Sequence, residues 1–213
     1  MNVTVFGATG AIGSLTVTEL LTHGHTVAAY VRNVSKVPAE WGNRVRVVTG
    51  DISNAAAIDH AVSGADAVIS ALGPSMDRKA AGLPLVGGTR HILAAMEQHG
   101  VTRFIGHGTP SIADAHEKKT AQTRLISFLG RTFLRRAYDE LLGMTELITS
   151  SDLDWTIVRF TAPKDGEKAG KILAGFYGAD KIGFPITRAD IAAFTAAQIN
   201  SATYLRRAPA ISN

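Results

Sequence analysis

Val3-Thr4-Val5-Phe6-Gly7-Ala8-Thr9-Gly10-Ala11-Ile12-Gly13 runs into Ser14-Leu15-Thr16-Val17-Thr18-Glu19-Leu20-Leu21, so three glycines stand between a strand pattern and a helical one. Alternating β-branched and aromatic residues predict a strand at the start, and the apolar spacing after Gly13 predicts an amphipathic helix. Strand, G-x-x-G-x-x-G turn and helix are the setting a dinucleotide-binding fingerprint needs. Each glycine then has a task. Gly7 turns the chain off the strand, Gly10 opens backbone N–H groups to a pyrophosphate, and Gly13 lets the helix pack closely. The helix N-terminus offers free N–H groups and the positive end of its dipole to the anion. Ala8, Thr9, Ala11 and Ile12 complete this candidate cofactor loop. A tight turn without a ligand has the same spacing; the strand before and the helix after favour the dinucleotide.

The chain has 213 residues, 46% hydrophobic and 19% charged. That suits one α/β domain over 1–213, a doubly wound parallel sheet of Rossmann type. There is no cysteine, which excludes disulfides and thiolate metal sites. The seven histidines form no H-x-x-x-H pair, and no metal site is expected. No basic segment precedes an apolar run at the N-terminus, and no apolar run reaches spanning length. A cytoplasmic protein without a membrane partner is the expectation. The net charge of +4 includes clusters at Arg131, Arg135, Arg136 and at Arg206, Arg207. A solvated helix face and tail account for these better than a nucleic-acid surface.

His25 to Val31 predicts a second strand, parallel to the first through the helix. Where NAD-selective sites place Asp or Glu to hold the ribose, this chain has Arg32, with Lys36 shortly after. A guanidinium there fits a 2′-phosphate and favours NADP; an ordinary surface arginine is the alternative. Val45 to Thr49 predicts a third strand. After it, Asp51 can accept from an adenine amino group and Ile52 can cover the ring, unless Asp51 only caps a helix over 54–62. Ala65 to Leu72 reads as a buried fourth strand, whose tip Ala71-Leu72-Gly73 allows close backbone approach to ribose and pyrophosphate. Residues 77–88 predict a mobile loop near the site, followed by a helix over 89–99. Val101 to Gly106 predicts a fifth strand, ending in His107-Gly108-Thr109-Pro110-Ser111. Residues 117–150 predict one broken helix or two, with Gly130 and Gly143 as candidate breaks. Leu125, Phe128, Leu129, Phe133, Leu134, Leu141, Leu142 and Leu147 are its candidate core. Leu153 to Thr161 predicts a sixth strand, 171–177 alternates, and a last helix starts near Arg188.

Gly7-Ala8-Thr9-Gly10-Ala11-Ile12-Gly13, Val31-Arg32-Asn33 and Gly50-Asp51 resemble the atypical, NAD(P)H-binding short-chain dehydrogenase/reductase group. Leu153-Asp154-Trp155-Thr156-Ile157-Val158-Arg159 and Ile186-Thr187-Arg188-Ala189-Asp190-Ile191-Ala192 look like its late signatures. The group includes biliverdin-IXβ reductase-like enzymes, which also reduce flavins, and NmrA-like proteins. The resemblance covers nearly the whole chain; its two late motifs say nothing of substrate. In the reductase-like members a serine follows the fifth strand beside the nicotinamide; Thr109 aligns with it, which makes Thr109 the candidate catalytic residue. The chain departs from the wider family's Tyr-x-x-x-Lys pair, because Tyr138 is followed four places on by Leu142. Tyr177 and Lys181 fit the string, but neighbouring glycines argue against a helix there. Phe160 stands where the family has proline.

The resemblance implies an NADPH-dependent oxidoreductase that passes hydride to a flat conjugated acceptor, a flavin, quinone or tetrapyrrole, whose proton can come from solvent. An NADP-binding redox sensor of NmrA-like type is the alternative. An epimerase or dehydratase is disfavoured, since it would need the Tyr/Lys pair. The expected partner is a small-molecule substrate, and the expected assembly a monomer or homodimer.

Overall fold

The computed structural model describes residues 1–75, 77, 81–118, 132 and 134–213. β-Branched and aromatic runs form β1 (Asn2–Phe6), β2 (Thr26–Val31), β3 (Val45–Thr49), β4 (Ala67–Ser70), β5 (Arg103–Gly108) and β6 (Asp154–Arg159). These six are parallel, in the order β3-β2-β1-β4-β5-β6. The sheet gains two further strands, β8 (Leu173–Gly175) and β10 (Ala210–Ser212). β10 runs parallel to β6 and antiparallel to β8. A separate two-stranded ribbon pairs β7 (Pro163–Lys164) with β9 (Ile186–Thr187). The fold is thus a single α/β domain around an eight-stranded, mostly parallel sheet.

Helices cover both faces, so the central strands read as almost unbroken apolar runs. α1 (Gly13–Thr22) and α5 (Arg188–Ala197) pack against each other on one face, over a core that includes Val5, Leu20, Ile105 and Val158. α2 (Ala55–Val62), α3 (Pro84–Gln98) and α4 (Arg135–Thr149) form the other layer, over Phe6, Ile58, Met96, Phe104 and Ile157.

Three expectations are corrected. The helix expected over 89–99 begins at Pro84, so the second half of the anticipated loop is helical. Proline is favoured at a first helical position, and the buried Glu140 carboxylate of α4 accepts from the Leu85 N–H at 2.8 Å. Gly88, expected at the end of that loop, lies within α3: a Cβ there would overlap Ile52 Cγ1, so the glycine admits that side chain. Gly143 does not break α4, and a Cβ there would lie 2.9 Å from Val86 Cγ2. It is a close-approach glycine between α3 and α4. The buried stripe of α4 is Ala137, Tyr138, Glu140, Met144 and Ile148; Leu141, Leu142 and Leu147 flank it, and Leu134 is exposed. Gly130, Arg131, Leu125, Phe128, Leu129 and Phe133 lie outside the described residues.

Two buried polar groups fasten the segment after β5. Arg159, at the end of β6, donates to the carbonyls of Ala208 (2.6 Å) and Ile112 (2.9 Å) and to Glu117 Oε1 (2.7 Å). Both partners of that ion pair are almost wholly buried, at 2% and 3% side-chain exposure. Asp114 accepts from the Ala208 N–H at 2.9 Å and, through its other oxygen, from the His116 N–H at 2.8 Å. Removing one partner leaves the other charge buried and unpaired, which costs about 3–5 kcal/mol. Glu117→Ala should therefore lower the unfolding free energy by roughly that amount in urea titration. A midpoint and slope equal to wild type would show that the pair does not hold the segment.

Candidate cofactor site

Phe6 and Tyr30 are register partners, so the glycine turn after β1 and the Arg32 segment after β2 leave the sheet side by side. Gly7 adopts φ +74°, and a Cβ there would lie 3.0 Å from the carbonyl carbon and oxygen of Ala71. The turn is closed by the Gly10 N–H donating to the Gly7 carbonyl at 2.9 Å, while the Ala71 N–H donates to the Phe6 carbonyl at 2.9 Å. The ends of β1 and β4 are thereby locked together, which is the switch point where ligands bind in such sheets.

The N-terminus of α1 carries no side-chain cap and no acid in its first turn. Among the described residues nothing accepts from the N–H groups of Ala11, Ile12 or Gly13, while Ser14 N–H already bonds the Gly10 carbonyl. Gly10 and Ala11 are exposed, Thr9 and Ile12 half-buried, and Ala8 fully buried. Orphan donors at a helix N-terminus suit an anion. The three glycines divide the work. A Cβ on Gly13 would overlap the Gly7 carbonyl oxygen and lie 2.9 Å from its carbon, whereas one on Gly10 meets only that oxygen, at 3.2 Å.

Arg32 and Lys36 are exposed, and their side chains make no hydrogen bond or ion pair among the described residues. Asn33 caps the short 3-10 turn Val34–Lys36 by accepting from the Ser35 N–H at 2.9 Å, which fixes the path from one cation to the other. Asp51 is exposed and accepts from the Ser53 N–H (3.0 Å) and hydroxyl (2.8 Å). Those bonds, with a smaller contribution from the Arg32 guanidinium, hold its carboxyl below the usual carboxylate range. The helix that follows is capped by Asn54, not by Asp51. Ile52 rests on Gly88 of α3 and stays half-exposed. Sequence reasoning missed Tyr30. Its hydroxyl donates to the Asp51 carbonyl at 2.8 Å, and a Cβ on Gly50 would lie 2.7 Å from its Cζ. Burial raises the Tyr30 pKa. Nothing in a strand pattern marks such a residue as a loop anchor. Beyond β4, Ala71 and Leu72 are half-buried and Gly73 is exposed, with open space where its Cβ would be.

On the other side, β5 extends two residues past the expected end, because His107 and Gly108 keep pairing with Val158 and Arg159. That turns His107 toward α5, where its Nε2 is 3.0 Å from Thr195 Oγ1 and its ring meets Phe160 edge-on at 5.3 Å. Burial lowers its pKa to about 4. Thr109 follows the strand and is half-buried. It accepts weakly from the Ser111 N–H (3.4 Å), and its hydroxyl lies 3.3 Å from the Ser111 hydroxyl. Tyr138 is buried on α4 with Leu142 one turn on, so α4 carries no Tyr-x-x-x-Lys pair. Tyr177 and Lys181 lie off any helix, with Tyr177 bridged to Asp180. Of the basic cluster, Arg136 bonds the carbonyls of Ser75 and Gly82, and Arg206 that of Asp152. Among the described residues no helix is long and apolar enough to cross a membrane.

A family model described as NAD(P)H-binding matches residues 7–202. Curated relatives include a 3-beta-hydroxysteroid dehydrogenase from Mycolicibacterium neoaurum, 32% identical over 120 residues (52% of this chain, 32% of that protein). A 2-alkyl-3-oxoalkanoate reductase from Stenotrophomonas maltophilia is 31% identical over 115 residues, 53% of this chain and 34% of that protein. The aligned part of this chain thus spans about a third of those relatives' length. Among solved structures, the oxidoreductase ylbE from Lactococcus lactis superposes with TM-score 0.80 at 22% identity, covering 100% of this chain and 91% of that one. ChuY, an anaerobillin reductase from Escherichia coli O157:H7, gives 0.79 at 22%, covering 99% and 96%. A wide-type short-chain dehydrogenase/reductase from Veillonella parvula, in complex with NADP, gives 0.78 at 20%, covering 100% and 94%. At these identities the structural likeness concerns the fold.

The glycine geometry separates two substitutions. Gly10→Ala should leave the urea midpoint almost unchanged and abolish dinucleotide binding in calorimetric titration. Gly13→Ala should instead cost about 1–3 kcal/mol of stability, because its methyl group has no space. The reverse pattern would assign the turn a purely structural role.

Proposed function

This chain belongs to the NAD(P)H-binding family, and on that premise we propose that it is a cytoplasmic NADPH-dependent reductase. Hydride leaves the nicotinamide for a flat conjugated acceptor, a flavin, quinone or tetrapyrrole. NADPH and the acceptor become NADP⁺ and reduced acceptor, with the balancing proton taken from solvent. In this reading Gly7 to Gly13 and the N–H groups of α1 hold the pyrophosphate, Asp51 and Ile52 the adenine, and Ala71 to Gly73 the ribose side. The observation that carries the choice of NADP is Arg32 with Lys36, exposed and with no side-chain hydrogen bond or ion pair among the described residues, beside the glycine turn. No carboxylate stands at the end of β2 to hold a 2′-hydroxyl.

The missing tyrosine–lysine pair supports an acceptor that needs no strong protein acid. The protein then contributes positioning. Thr109, half-buried just past β5 and held only by weak contacts to Ser111, would donate toward the negative charge that develops on the acceptor. The same missing pair also favours a second reading, an NADP-binding redox sensor that turns nothing over.

Arg32→Ala should weaken NADPH roughly ten- to a hundredfold, the loss of a charge-assisted hydrogen bond, and leave NADH nearly unchanged. Equal losses for the two cofactors in calorimetric titration would remove the 2′-phosphate assignment. Thr109→Val keeps the shape and deletes the donor. It should lower kcat on the order of tenfold without changing the NADPH Kd, a small effect because the site is partly open to water. Turnover equal to wild type would leave the reductase in place and take the catalytic role from Thr109.

A further inference from the structure

His107 belongs neither to the glycine turn nor to the Arg32 segment, yet its surroundings prepare one ring nitrogen for a partner. The ring lies at the C-terminal end of β5, one residue beyond Gly106, which pairs with the last residue of β4. Its Nε2 lies 3.0 Å from Thr195 Oγ1. Thr195 is fully buried, and among the described residues this is its hydroxyl's one hydrogen-bond partner. A hydroxyl has a single proton to give. If Nε2 carried the ring hydrogen, Thr195 would accept it, and its own buried O–H would have no acceptor. The arrangement in which both groups are satisfied has Thr195 donating to Nε2, with the ring hydrogen on Nδ1.

Nδ1 has no hydrogen-bond partner among the described residues. Among the described residues the sealed, unpartnered side-chain atoms are Trp41 Nε1, Ser70 Oγ and Gln198 Oε1, and Nδ1 is not one of them. With His107 half-buried at the strand ends, the Nδ1 hydrogen has no partner among the described residues. Phe160 meets the ring edge-on and limits its rotation. Burial keeps the imidazole uncharged at neutral pH, so the donor persists without a counter-ion. A dinucleotide whose pyrophosphate lies at α1 extends its second half over the ends of β4 and β5.

We propose that His107 donates a hydrogen bond from Nδ1 to the nicotinamide half of the bound dinucleotide, to the carboxamide oxygen or a ribose hydroxyl. Thr195 is a positioning residue that fixes the ring hydrogen on that nitrogen. The proposal rests on the cofactor reading above.

Two measurements test it. Nitrogen NMR of the histidine ring in cofactor-free protein should find the hydrogen on Nδ1, and Thr195→Val should move it toward Nε2. A hydrogen on Nε2 in wild type overturns the proposal. Calorimetric titration then compares NADP⁺ with adenosine 2′,5′-bisphosphate, which lacks the nicotinamide half. His107→Phe should weaken NADP⁺ on the order of tenfold and leave the bisphosphate unchanged. His107→Asn, whose amide nitrogen stands near the place of Nδ1, should retain most of the affinity. Thr195→Val keeps the ring and should weaken NADP⁺ alone. Unchanged NADP⁺ affinity in His107→Phe, or equal losses in His107→Phe and His107→Asn, overturns the proposal and makes the ring a packing group. Wild-type protein that binds neither ligand overturns the cofactor reading itself, and this proposal with it.

Discussion

Between the Gly7 carbonyl and the first residue of α1 there is no room for a side chain. An added Cβ on Gly13 would overlap that oxygen, and much of the molecule depends on the approach this permits. It brings the uncapped N-terminus of α1 to the end of β1, the strand beside β4 and β2 in the middle of the sheet. The same turn leans on Ala71, so the ends of β1 and β4 are fixed relative to each other. The positive helix end is then held where two strand ends and the Arg32 segment converge. Loosening that one contact would move the uncapped end of α1, the α1–α5 packing and the gap beyond β4 together.

The two sides of the site are built by different physics. The side at the ends of β1 to β3 uses backbone: glycines that admit close approach, orphan N–H groups, and short polar turns at Asn33 and Asp51. The side beyond β5 is fastened by buried charge, with Arg159, Glu117 and Asp114 tying the segment after β5 to the C-terminal strand region. Burying an ion pair is costly unless its remaining donors and acceptors are met. Here Arg159 also bonds two carbonyls, so its fork of donors is largely used.

The parallel core was legible because its signal is local. Continuous apolar strands alternate with helical periodicity, and the order β3-β2-β1-β4-β5-β6 follows from right-handed crossovers. The positions of Gly7, Gly13 and Arg32 relative to the sheet were legible for the same reason. What escaped is contact made across the chain. β10 is three residues long and pairs with β6 through Ala210 and Arg159, too little pattern to show in sequence. Gly143 looked like a breaker, and Gly88 like part of a loop, because a sequence does not show the Val86 and Ile52 side chains that fill the space beside them. Pro84 opens α3, and the next N–H, of Leu85, is taken up by Glu140, 55 residues away from it. His107 was expected in a loop, and its pairing with Val158 turns it toward Thr195.

The central claim is that this fold holds NADPH so that hydride leaves it for an external acceptor. Its most direct test is oxidation of NADPH deuterated at the transferable position, with FMN, FAD and several quinones as acceptors. The account predicts protein-dependent loss of reduced-nicotinamide absorbance, with a primary isotope effect and deuterium delivered from one face of the ring. Tight binding of NADPH with oxidation no faster than in free solution, for every acceptor, would contradict it and leave the sensor reading.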